Sequence, residues 1–182
     1  MSEGSDTRPP KPAQHPPPLD LLPFALLIIV WLVALAHYSR LPELIPSSFR
    51  LNGTPSAWAG KASVTLLLPM VGTLAYLSLN LVGRIALRRP TLGGRPFKGR
   101  AARRVGELLV RYLFCMKTCI LTFLLNIEFR SIQIAYGVRE SLAWDSYLVG
   151  ALLVFYAVVG SAILYLNARH LMKWQDTVES GA

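Results

Sequence analysis

The sequence predicts an all-α, polytopic integral membrane protein, with four transmembrane helices in a bundle and both termini in the cytoplasm. Three observations predict it. Of 182 residues, 53% are hydrophobic and only 16% charged, against roughly 25% charged in an ordinary soluble domain. Four long apolar runs follow one another, Leu21 to Tyr38, Ala62 to Gly83, Leu108 to Ile127 and Tyr147 to Leu166, each near the roughly 20 residues a helix needs to cross hydrocarbon. Lys and Arg number 19 against 10 acids, a net charge of +9, and they concentrate in one connection, which fixes orientation. Backbone in lipid must satisfy its own hydrogen bonds, and runs of this length without two-residue alternation favour helices over barrel strands. The connections are too short to hold a soluble domain, and two cysteines, Cys115 and Cys119, exclude a disulfide scaffold.

Residues 1–18 contain Pro9, Pro10, Pro12, Pro16, Pro17 and Pro18 and lack the apolar content to fold, so they are expected to form a disordered cytoplasmic tail. Residues 19–85 are the first helical hairpin. Ala34-Leu35-Ala36 has the form of a signal-peptidase site, but the long proline-rich leader and Asp20 at the membrane edge argue that the first span is retained. The outer loop, residues 39–61, is dense in residues that fix bends. Pro42 and Pro46 stop the first helix and hold their predecessors extended. Asn52-Gly53 favours a tight turn, and Pro55 stiffens its exit. Phe49 and Trp58 suit the headgroup level, and Lys61 marks the start of the next span.

Residues 86–104 form a basic cytoplasmic loop. From Arg84 to Arg104 there are eight basic residues and no acid, so this connection stays inside and the first and third loops lie outside. The same charge predicts contact of residues 84–104 with anionic lipid headgroups, at about 1 kcal/mol per nearby Lys or Arg. That contact accounts for the basic stretch around Phe97 without any nucleic-acid partner. Residues 105–168 are the second helical hairpin and residues 169–182 a cytoplasmic tail, in which Arg169 and Lys173 agree with the orientation.

The outer loop carries an ordered series of residues, Leu41, Pro42, Ile45, Pro46, Phe49, Gly53, Trp58 and Lys61. The series resembles the bacterial membrane family called domain of unknown function 1648, whose loop runs Leu-Pro-x-x-Ile-Pro-x-His-Phe, followed by a Gly, an aromatic and a Lys. The resemblance covers residues near His37 to Tyr76, and the family is distantly like the SdpI immunity protein of bacilli. It implies an immunity-type or signalling membrane module with Pro42, Ile45, Pro46, Phe49, Gly53, Trp58 and Lys61 as partner-binding candidates. Where the family has His this chain has Ser48, so proton or metal chemistry of that His does not carry over. The characteristic second half of the immunity protein is not evident either.

Within the spans, Lys117 stands out. On the run Leu108 to Ile127 it sits near mid-membrane, where a charged Lys costs about 2.5–3.5 kcal/mol on insertion scales. The levels of Gly72, Thr73 and Tyr76 on the second span and of Tyr156 and Ser161 on the fourth face it, and no acid is expected at matching depth. Either its stem snorkels to the inner headgroups, eased by a span shifted to Leu113–Ile134, or it forms an intramembrane polar site. Glu107 and Arg111 are spaced to pair. Asn80, Asn126, Gln133 and Asn167 near span ends suit interhelical hydrogen bonds, and Ala157, Gly160 and Ser161 form a small-residue stripe for close packing. Pro69 and Gly72 suit a bend in the second helix.

Catalysis finds no support. His15, His37 and His170 fall in separate regions, and there is no phosphate loop, no His-Glu-x-x-His and no nucleophile with a nearby base. The expected protein is therefore not an enzyme and has no cofactor or metal. It is a receptor, sensor or immunity-type module of the bacterial inner membrane, using loop 41–61 toward an extracytoplasmic peptide or a membrane-protein partner. The alternative is a small transporter, or an accessory subunit of a membrane complex, built around Lys117.

Overall fold

The computed structural model describes residues 20–88, 90–92, 94–142 and 144–180. The proline-rich segment 1–18 lies outside the described residues. Four helices, α1 (Leu21–Tyr38), α2 (Lys61–Arg88), α3 (Gly99–Ala135) and α4 (Trp144–Ser180), are joined by two short antiparallel hairpins. Strands β1 (Leu44–Phe49) and β2 (Pro55–Gly60) connect α1 to α2, and β3 (Thr91–Leu92) and β4 (Arg95–Pro96) connect α2 to α3. All four helices are long and apolar enough to cross a membrane.

The first run keeps its expected bounds, while the other three helices are longer. Helix α2 continues to Arg88, α3 begins at Gly99 and ends at Ala135, and α4 continues to Ser180, through the segment read as a tail. The added turns are polar and amphipathic, so apolar run length marks only the part of each helix suited to lipid. Four long helices carry the fold as expected, and two short β-hairpins, not foreseen as strands, join them. Their cause is local: prolines and glycines in both connections forbid helix, and each is long enough to fold back on itself.

Helices α1, α2 and α3 pack against one another, and α4 packs against α3. Leu27, Val30 and Ala34 are the buried face of α1. In lipid the helices gain little from the hydrophobic effect, so close van der Waals fit decides the packing. A Cβ added at Gly72 of α2 would touch the Leu121 and Leu124 side chains at 3.3 Å, and one at Gly160 of α4 would lie 2.8 Å from the Tyr112 ring. The Ala157–Gly160 stripe thus seats Tyr112, whose hydroxyl also donates to the Ala157 carbonyl at 3.2 Å. Asn126 accepts from Ser146 at 2.7 Å, an interhelical bond of the expected kind.

Pro69 stands inside α2. Nearby, Thr73 donates to the Pro69 carbonyl and accepts from the Trp31 indole of α1 at 3.0 Å. The polar groups beside the proline are thereby used to join two helices. At the other end of α3, Phe97, Ala101, Ala168 and Met172 form a buried cluster that pins the β3–β4 hairpin to α3 and α4. Phe97 is an anchor of that connection.

Candidate functional site

The β1–β2 hairpin follows from its sequence. Gly53 adopts a φ of 81°, the left-handed conformation that Asn-Gly turns require. Asn52 Oδ1 accepts from the Thr54 amide at 3.1 Å and its hydroxyl at 2.7 Å, locking the turn. Pro46 offers no amide to the ladder, and the register shifts on either side of Ser48, giving a bulge. At the base, Lys61 donates through its amide to the Glu43 carbonyl and through Nζ to Glu43 Oε1 at 2.8 Å.

The candidate residues divide into two sets. Ile45, Pro46 and Gly53 are buried and build the seat of the hairpin, with Ile45 packed on Leu41 and Ile132. Pro42 and Trp58 are exposed and Phe49 half-buried. Ser48 is exposed and bonds Ser56 at 2.8 Å across the strands. The connection between α3 and α4 docks on this hairpin. The Leu142 amide donates to the Gly53 carbonyl at 2.9 Å, and the Tyr147 hydroxyl donates to the Arg50 carbonyl at 2.9 Å. His37 and the Tyr136 hydroxyl, 3.3 Å apart, add a contact between α1 and α3 at the same end. The resulting cap exposes Leu44, Trp58, Val138 and Trp144, with Leu51 97% exposed at the turn.

Lys117 is only 5% exposed and has the counter-charge that was not expected. Its Nζ lies 2.5 Å from Asp20 Oδ1 and 3.0 Å from Asn80 Oδ1, and 5.4 Å from the centre of the Tyr76 ring. The reading of Lys117 as unpaired is corrected. The packing of α1 on α3 brings Lys117 to the N-terminal end of α1, where Asp20 is the capping residue. Asp20 precedes the apolar run and so escaped a search confined to spans. Tyr76 was placed correctly.

Glu107 pairs with Arg103 at 3.1 Å and not with Arg111. Arg104, Glu107 and Arg111 of α3 line a groove of about 300 Å³ between α3 and α4, with Asn167 and His170 on the other wall. Sequence reasoning placed Glu128 only at the outer boundary of a shifted third span, whereas it is buried on α3 beneath the hairpin. Its signal was available: Lys117, Leu121, Leu124 and Glu128 recur at three and four residues, the spacing of one helix face.

These features define a multi-pass membrane protein with a hairpin cap at one end. Residues 25–73 match the family model described as Domain of unknown function (DUF1648). The match takes in most of α1, the whole hairpin and the first part of α2, and it agrees with the family that the loop residues suggest. Neither curated proteins nor solved structures gave a match.

Proposed function

We propose that the chain is a non-enzymatic receptor or sensor of the bacterial inner membrane, an immunity-type module whose outer hairpin takes an extracytoplasmic peptide or a membrane-protein partner. The observation that carries this reading is a rigid hairpin presenting apolar side chains. Trp58 is 53% exposed on a hairpin fixed at its tip by Leu142 and at its base by Glu43. Rigidity lowers the ordering cost of binding. Among the described residues each strand of the two-stranded sheet also keeps one edge without a strand partner, where an extended peptide would add main-chain hydrogen bonds.

The basic connection from Arg84 to Arg104 supports an orientation with both termini inside and the hairpin outside. The same residues supply the anionic-lipid contact on the inner leaflet. The transporter reading takes second place, since pairing with Asp20 accounts for Lys117 as a tie between α1 and α3. The test is photocrosslinking from a reactive residue at the exposed Ser56 in native membranes. A discrete protein or peptide adduct is expected, lost when Pro42, Pro46 and Trp58 are replaced together at unchanged abundance. Lipid adducts alone, or an adduct indifferent to the replacement, would contradict the proposal.

A further inference from the structure

Helices α3 and α4 meet closely at two places and part between them. Toward the basic connection Ala101 is buried with Ala168 and Met172, and further along α3 the Tyr112 ring lies against Gly160. The groove of about 300 Å³ opens between these contacts. On α3 its wall is Arg104, Glu107, Leu108 and Arg111, whose three- and four-residue spacing makes one helix face. On α4 it is Asn167, His170 and Leu171, spaced likewise. The groove stands where both helices change character. Leu108 begins the apolar run of α3 and Leu166 ends that of α4, so Arg104 and His170 lie on the polar side of the junction and Arg111 on the apolar side. From there Leu166, Tyr165 and Ile163 of α4 are exposed along the apolar run.

The charge of this groove is not balanced from within. Neither Arg104 nor Arg111 has an ion-pair partner among the described residues, while Glu107 is already met by Arg103 at 3.1 Å. Two guanidinium groups are therefore left over, and a planar guanidinium matches a phosphate with two parallel hydrogen bonds. His170 adds a ring N–H donor. Leu108 and Leu171 make part of the lining apolar, and the groove lies at the edge of the apolar runs, so the phosphate it fits is one that carries acyl chains. The other groups limit the headgroup. Asn167 donates through Nδ2 to the Ile163 carbonyl at 2.8 Å, which leaves Oδ1 as an acceptor for a hydroxyl. The surplus arginines disfavour a headgroup ammonium, and Glu107 disfavours a headgroup carboxylate.

We propose that this groove seats one anionic phospholipid, its phosphate held by Arg104 and Arg111, its neutral hydroxyl-bearing headgroup against Asn167 and its acyl chains along α4. The site rests on the anionic-lipid contact proposed above and adds one discrete seat to that diffuse basic surface. The test uses the full chain in phosphatidylcholine nanodiscs containing a minority of phosphatidylglycerol or of phosphatidylserine, with unfolding followed by tryptophan fluorescence. Phosphatidylglycerol should raise the midpoint by about 3 °C over phosphatidylcholine alone, and phosphatidylserine should raise it less. Replacing Arg104 and Arg111 together by Gln should abolish the gain. Replacing Arg84 and Arg100 together by Gln removes equal charge outside the groove and should leave it. All four side chains are exposed, so neither pair disturbs the core. Soluble glycerol phosphate added to phosphatidylcholine nanodiscs should do nothing. A gain reduced equally by both double replacements would overturn the seat and leave only the diffuse contact, whereas no gain from either anionic lipid would overturn both. An equal gain from phosphatidylserine would overturn the headgroup assignment, and a full gain from glycerol phosphate would overturn the lipid as occupant.

Discussion

Gly53 meets two separate demands. Its φ of 81° disfavours any side chain, and a Cβ there would lie 2.5 Å from the Leu142 carbonyl oxygen. Gly53→Ala must therefore twist the turn and push away the connection that docks on it, at a cost of about 1–3 kcal/mol. A lowered unfolding midpoint in nanodiscs checks this, and a midpoint equal to wild type would contradict it. The Lys117–Asp20 pair gives an asymmetric prediction. Lys117 is buried, whereas the Asp20 side chain is 53% exposed. Asp20→Asn leaves a buried cation without its anion and should cost about 1.5–3 kcal/mol. Lys117→Met leaves only an exposed acid and should cost less, so comparing the two unfolding midpoints decides the order. The identity of these residues was legible in the sequence, but their partners were not. Asp20 and Lys117 are 97 positions apart, and hydropathy carries no information about which buried charge a long side chain reaches.

At the scale of elements, the helical runs and the turn at Asn52-Gly53 were legible because each depends on local residues alone. The helix ends were not, since the polar turns of α3 and α4 look like loop by composition. Their extension has a consequence at the end that carries the basic connection. The first turns of α3 and the last turns of α4 lie side by side, and the groove between them is lined by Arg104, Arg111 and His170 and by Glu107, whose charge is met by Arg103. Basic grooves between spans on the cytoplasmic side suit lipid phosphates. Replacing Arg104 and Arg111 by Gln should reduce the anionic phospholipid that stays bound in native mass spectrometry, with zwitterionic lipid unaffected. Equal retention of both lipids by the variant and the wild type would remove the groove as a lipid site. The β1–β2 hairpin was legible as a set of bends but not as a ladder. Pairing of β1 with β2 is decided by register, and docking of the α3–α4 connection on its tip is tertiary.

For the whole molecule, the charge distribution and the fold divide the chain into two ends. One end holds the basic connection, the Phe97 cluster and the Lys117–Asp20 pair. The other holds the hairpin, the docked connection after α3 and buried Glu128. Along α3 the two charged residues are eleven positions apart, about 16 Å at helical rise, so α3 carries a paired cation toward one face and an acid toward the other. The lipid-suited surface between them is apolar, with Leu67, Leu74 and Leu81 of α2 and Leu152, Phe155 and Ile163 of α4 all exposed. The central claim is that this chain crosses the membrane four times and holds its rigid hairpin outside the cytoplasm. It is tested most directly by labelling a single cysteine in whole cells, with Cys115 and Cys119 first replaced by Ala. Ser56→Cys should react with a membrane-impermeant maleimide in intact cells, while Arg100→Cys should react only after permeabilisation. Labelling of Ser56→Cys only after permeabilisation, or of Arg100→Cys in intact cells, would contradict the account.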